Sequence, residues 1–226
     1  MVIDRRASAS RRFGLLVFDW DGTLADSTAL IAMSIQAACR DLGEPIPDDD
    51  AARHVIGLGF GSAVGYVAPG LAQARYPAFS AAYRGHYLQR EPAIALFAGA
   101  RELLRDLDAE GYLLAIATGK SRAGLDSALA RNDLRGVFHA TRCADEGFAK
   151  PHPDMLLNLM SLLGTSSDTT LMIGDTSHDM ELAHNAGARA LAVSYGAHSH
   201  ETLARCAPLA TVASVAELRA WLRANG

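Results

Sequence analysis

The stretch Leu15-Leu16-Val17-Phe18-Asp19-Trp20-Asp21-Gly22-Thr23-Leu24 decides how this chain is read. Its apolar run reads as a buried strand, and two acids, two positions apart, leave that run just before a turn glycine. The arrangement lifts Asp19 and Asp21 out of the core at a strand's C-terminal end. A buried anion without a partner is very costly, so both acids are expected to meet a cation or to line a polar cleft.

Three further segments share that position. Leu113–Ala117 runs into Thr118-Gly119-Lys120, Leu171–Ile173 runs into Gly174-Asp175-Thr176-Ser177-His178-Asp179, and Lys150-Pro151 lies in a loop between them. In an open parallel sheet, ligands bind at the carboxyl edge of the strands, where the winding direction reverses. The four polar exits can therefore converge on one cleft.

Helical periodicity follows the first motif, over about 27–42, with Leu30, Ile31, Ser34, Ile35 and Ala38 on one face, until Glu44-Pro45-Ile46-Pro47 breaks it. A second helix is predicted from Asp48. After the glycine-rich Gly57–Gly61 come two more, about 62–67 and 71–89. No strand pattern interrupts this region, which reads as a helical insertion spanning 26–95. Strands at 112–118, 137–141, 171–174 and 190–194 then alternate with helices at 100–110, 122–132, 153–163, 179–186 and 215–223. With the strand of Asp19 these make five, and βα alternation implies right-handed crossovers and a parallel sheet. The expected class is α/β, a doubly wound parallel sheet with a Rossmann-like core from 1–25 and 96–226.

Composition agrees. A chain of 226 residues with 50% hydrophobic content can bury a sizeable core, and a net charge of −4 gives no global attraction to nucleic acid or acidic membrane. Cys39, Cys143 and Cys206 are odd in number and widely spaced, which suggests neither a disulfide framework nor a zinc site and fits a reducing, cytoplasmic setting. Arg5, Arg6, Arg11 and Arg12 read as a solvated basic tail, because the apolar stretch after them is too short for a signal peptide or a membrane span.

DWDGT, TGK, KP and GDTSHD, in that order, resemble the four motifs of the haloacid dehalogenase-like hydrolase superfamily in its phosphatase branch. The resemblance runs from about Phe13 to about Leu222. It is similar in layout to phosphoglycolate phosphatase-like members, which carry a helical cap after the first motif. It implies a central strand for Asp19 and a Mg²⁺-dependent phosphatase acting on a small phosphate monoester, phosphoglycolate-like or another phosphorylated metabolite. Asp19 matches the nucleophile position, where an acyl phosphate splits one difficult hydrolysis into two easier steps. Asp21 matches the acid/base that protonates the leaving oxygen and then activates water, and its backbone carbonyl is a metal ligand by the same resemblance. Hard oxygens from Asp19, Asp21 and Asp175 suit Mg²⁺, while Asp179 is expected on a metal water or the loop backbone. Thr118 and Gly119 are assigned to the phosphoryl oxygens, and Lys150 to the space between two anions. Thr23 is expected to fix the first loop. The cap loop with Gly57, Gly59 and Gly61 is assigned to the leaving group, although a turn between cap helices accounts for the same glycines.

Other features have plainer readings. Lys120 is expected to be solvated, His178 to serve as a polar helix-start residue, and His198 and His200 to occupy a surface loop. Met155, Leu156, Leu159, Met160 and Leu163 have core spacing, and Trp20, pointing opposite to its flanking acids, is expected to pack. A dehalogenase would lack the acid at Asp21. A sugar phosphomutase or a pyrophosphatase of the same superfamily, or a phospho-acceptor switch, shares part of the pattern. Arg53, His54, Arg75, Arg84, His86 and Arg90 are read as solvated helix residues, so no named cation supports recognition of a substrate carboxylate. A small metabolite is the expected partner, with no nucleic acid or membrane, on a monomer or homodimer.

Overall fold

The computed structural model describes residues 12–226, so the basic residues Arg5, Arg6 and Arg11 lie outside the described region. At its centre is β1 (Leu15–Phe18), whose four side chains are all buried. It is flanked by β2 (Leu113–Thr118) and β4 (Thr170–Gly174), with β3 (Ala140–Cys143), β5 (Arg189–Val193) and β6 (Thr211–Val212) further out. All pairings are parallel, in the order β3-β2-β1-β4-β5-β6. The chain builds one side of the sheet from β1 through β3 and then crosses back to β4, so the reversal falls beside β1.

Period-two alternation sends β1 into two cores at once. Leu16 and Phe18 join Leu114, Ile116, Leu171 and Ile173 on one face, beneath α5 (Ala100–Ala109), α6 (Arg122–Arg131) and α10 (Val215–Asn225). Leu15 and Val17 face α7 (Asp154–Leu163) and α8 (Ser177–Asn185), where Met155, Leu156 and Leu159 are buried as their spacing predicts. Trp20, 2% exposed, packs in the first of these cores.

Between β1 and β2 in sequence stand α1 (Thr28–Leu42), α2 (Asp49–His54), α3 (Phe60–Val67) and α4 (Tyr76–Arg90). They enclose a hydrophobic cluster of their own, in which Ile31 and Ile35 of α1 meet Val64 of α3 and Phe79 of α4. Two chain segments join them to the sheet. These run side by side: Asp26 N–H donates to Ala95 O, Phe97 N–H donates to Leu24 O, and Ala25 and Leu96 form an antiparallel bridge.

Four local expectations are corrected. The sheet has six strands, because the two-residue β6 is too short to show a period. The strand expected at 137–141 is β3 at Ala140–Cys143, after a turn. α9 (His200–Arg205), capped by Ser199, adds a helix in a polar stretch without apolar spacing. α4 starts at Tyr76 after a short 3₁₀ turn, with a proline in its first turn where the missing N–H costs nothing. Among the described residues, no helix is long and apolar enough to cross a membrane.

Candidate active site

Register brings the motif residues to one edge. Phe18 pairs with Ile116 on one side and Ile173 on the other, so Asp19, Thr118 and Asp175 emerge within one residue of the same level. Asp19 is 1% exposed, and Lys150 Nζ stands 2.8 Å from its Oδ1. That contact is one of charge and proximity, because neither carboxylate oxygen of Asp19 accepts a well-directed hydrogen bond. Burial pushes the Asp19 carboxyl up to about 7, against the lowering effect of Lys150, and Asp179 raises it further.

Lys150 also donates to Asp179 Oδ1 at 2.6 Å. Burial by itself would lower its pKa, but Asp179 and Asp19 overcome that and hold the ammonium charged. Asp179 closes a capping box at the start of α8: its Oδ2 accepts from Thr176 N and Oγ1, while its own N–H donates back to Thr176 Oγ1. Both of its oxygens are thus engaged by the loop and the lysine. Asp175 is fully buried, with Oδ1 accepting from Thr23 Oγ1 at 2.8 Å and Oδ2 from Ala197 N at 2.7 Å. Burial, then Asp19 and Asp179, push its carboxyl well above the usual range.

Carboxylate oxygens of Asp19, Asp175 and Asp179 lie within 4.8 Å of one another. With all three ionised, one ammonium leaves a net charge of −2 on buried groups, and the two oxygens of Asp19 lack directed donors. Buried anions require a counter-charge, and this all-oxygen donor set fits a hard divalent cation. The Asp21 side chain lies elsewhere, on Lys120, which leaves only its backbone carbonyl for the ligand role that the resemblance assigns.

Glycine is required where the first loop meets Asp175. Gly22 has φ +85°, and a Cβ there would stand 2.1 Å from Asp175 Oδ2. Gly22→Ala is expected to lower unfolding stability by about 1–3 kcal/mol, from the left-handed backbone and the displaced carboxylate together. Urea unfolding measures it; an unchanged midpoint would show that the loop relaxes freely.

Asp21, 7% exposed, is held on two sides. Ser27 Oγ donates to its Oδ1 at 2.7 Å, and Lys120 Nζ donates to both oxygens at 3.1 Å. Lys120 donates as well to Tyr87 Oη of α4 at 3.0 Å, and Tyr83 stacks on Tyr87. The expectation of a solvated Lys120 is therefore corrected: burial favours its neutral form, but Asp21 and the two tyrosines keep it charged. Its aliphatic stem is drawn inward by the Asp21 carboxylate and the Tyr87 hydroxyl.

Thr118 is fully buried, and its Oγ1 accepts from Lys120 N at 3.2 Å, which leaves its own proton free to donate. At Gly119 a Cβ would meet Gly57 O at 2.7 Å, and at Gly59 it would meet Ala149 Cβ at 2.7 Å. The α2–α3 loop thus presses its backbone on the second and third motif loops. Gly61 departs from the expected trio, since a Cβ there would meet nothing within 4 Å.

Two histidines join the insertion to the core. His178 Nε2 lies 2.7 Å and His198 Nε2 3.2 Å from His54 O, at the end of α2. A carbonyl only accepts, so both Nε2 atoms carry protons. His198 Nδ1 in turn accepts from Ser177 N at 3.0 Å. That ring has no lone pair left for a metal although His54, His178 and His198 are grouped closely enough to suggest one. His198 is 6% exposed, which corrects its expected surface position. Burial lowers His178 to about 4, so this clamp is uncharged.

Known proteins of similar sequence and fold place the chain in a family. The model of the haloacid dehalogenase-like hydrolase family matches residues 16–193, and the chain belongs to that family. It is 36% identical over 210 residues to a protein named probable phosphatase IndB, of Dickeya dadantii, across 90% of this chain and 91% of that one. It is 31% identical over 194 residues to tyrosine-protein kinase PtkA of Mycobacterium tuberculosis, across 85% of this chain and 66% of that longer protein. A solved structure of a predicted phosphoglycolate phosphatase from Haemophilus somnus superposes with a TM-score of 0.78 at 26% identity, covering 92% of this chain and 96% of the other.

Proposed function

We propose that the protein is a Mg²⁺-dependent phosphatase that hydrolyses the phosphate monoester of a small metabolite through an aspartyl-phosphate on Asp19. The observation that carries this reading is the buried Asp19 carboxylate, with no directed hydrogen bond on either oxygen and the Lys150 ammonium 2.8 Å away. Such a carboxylate is desolvated and oriented by the ammonium beside it, which suits a nucleophile toward phosphorus. Names given to IndB and to the Haemophilus somnus structure support the same reaction class.

In the first step an Asp19 oxygen bonds to phosphorus, the ester P–O bond breaks, and the leaving oxygen takes a proton from Asp21. In the second, Asp21 accepts a proton from water as that water's oxygen bonds to phosphorus. The acyl P–O bond then breaks, inorganic phosphate leaves, and the carboxylate and the acid are restored. Lys120 and Ser27, which both donate to Asp21, would hold its carboxylate in position for both proton transfers. Thr118 Oγ1 and the Gly119 N–H would bind phosphoryl oxygens, and Lys150 would neutralise repulsion between nucleophile and substrate. Asp19, Asp175 and the Asp21 carbonyl would hold Mg²⁺, which when bound neutralises phosphoryl charge. Residues 26–95 would act as a cap over a core of 1–25 and 96–226, excluding water when closed, with Gly57 and Gly59 at the seam.

EDTA is expected to abolish phosphate release and Mg²⁺ to restore it. Asp175→Ala should raise the Mg²⁺ concentration needed, whereas Lys150→Ala should depress the rate even at saturating Mg²⁺. Identical Mg²⁺ responses in the two variants would contradict this division. A second readout needs no turnover. An acid whose folded pKa is raised binds more protons folded than unfolded, so chelated protein should lose stability as pH rises from about 4 to about 7 through Asp19. Added Mg²⁺ should abolish that loss.

A further inference from the structure

A cavity of about 490 Å³ runs from Asp19, Thr118 and Gly119 into the helical insertion. Its far walls are Ile31 and Ile35 of α1, Val64 of α3, and Phe79 and Tyr83 of α4. The volume is in the range that holds a drug-sized ligand, far more than the two carbons of a glycolate need.

Charge in the cavity is already committed. Lys120 is taken by Asp21 and Tyr87, and Glu91, 6% exposed, is taken by Arg131 at 2.8 Å. Arg84 also lines the cavity but is exposed, at the solvent side. A second anion on the substrate would therefore enter an apolar chamber with Asp21 and Glu91 at its edges and no free interior cation among the described residues. Burying an unpaired carboxylate there is strongly unfavourable, whereas burying a ring gains the full apolar contribution.

We infer that the leaving group is an apolar, ring-bearing alcohol, and that esters carrying a second anion close to the phosphate, such as phosphoglycolate, are poor substrates. This rests on Asp19 and Thr118 marking the phosphoryl end of the cavity, as in the proposed function. The contribution of each wall is additive contact, so no single side chain of the chamber is decisive.

The test uses esters of similar leaving-group acidity, so that chemistry does not mask recognition. With Mg²⁺ present, kcat/KM for 2-phenylethyl phosphate should exceed that for ethyl phosphate by at least about tenfold, and that for phosphoglycolate by about 10²-fold. Ala63→Phe, which fills the chamber from a half-buried position on α3, should cut the phenylethyl advantage about tenfold or more. Binding of phosphonate analogues, measured by calorimetry, reads the preference without turnover. A phenylalkyl phosphonate should bind at least about tenfold more tightly than phosphonoacetate. Tighter phosphonoacetate binding, lost in Arg84→Ala, would place a carboxylate site at Arg84 and overturn the inference, as would equal affinities. Retained phosphonate preference with no phosphate released from any ester would instead overturn the phosphatase reading and leave the chamber's selectivity supported.

Discussion

Asp19→Asn is expected to bring phosphate release below detection, a loss on the order of 10⁶-fold, comparable to removal of other covalent nucleophiles. The amide keeps the shape of the side chain but has no anionic oxygen to bond to phosphorus. Unfolding cannot account for the loss. Asp19 is a buried acid whose oxygens make no directed hydrogen bond, and Lys150 keeps Asp179 at 2.6 Å, so the variant should be as stable as the parent or more so. Phosphate release and thermal melting of the same preparation check both halves. Retained turnover would remove Asp19 from the chemistry, and a large drop in melting temperature would make its burial structural.

Asp21→Asn carries the second large effect, a fall of about 10²- to 10⁴-fold in kcat for an alkyl phosphate. An amide can neither give the leaving oxygen a proton nor take one from water. The loss should be smaller in the first step for an aryl phosphate, whose oxygen departs without help, so the aspartyl-phosphate should accumulate. Ser27 and Lys120, both donors to Asp21, would keep the amide oxygen in place. Single-turnover rates of alcohol release from 4-nitrophenyl and 2-phenylethyl phosphate, measured ahead of the shared hydrolysis step, give the split, and equal losses in that first step would contradict the double role.

Much of this site is legible in the sequence because three of the motif residues leave buried apolar runs. Asp19 follows Leu15–Phe18, Thr118 ends Leu113–Thr118, and Asp175 follows Thr170–Gly174. A strand fixes direction, so the place of the next residue follows from it. The groups that surround them are another matter. Tyr87 reaches Lys120 from an amphipathic helix where it reads as ordinary core, and Ser27 reaches Asp21 from a helix start. His54 contributes a backbone carbonyl, which no residue type signals. Lys120 departs from a solvated position for the same reason: its burial depends on Asp21, 99 residues away, and on a tyrosine of the insertion. β6 is silent in the sequence because a strand of two residues has no period.

The most direct test of the central claim is the covalent state of Asp19. Asp21→Asn enzyme mixed with Mg²⁺ and 4-nitrophenyl phosphate, quenched in acid and mapped by peptide mass spectrometry, should carry a phosphoryl group on Asp19 in proportion to the nitrophenolate burst. Nitrophenolate released with no phosphoryl group on the protein, or with one on any other residue, would contradict the mechanism.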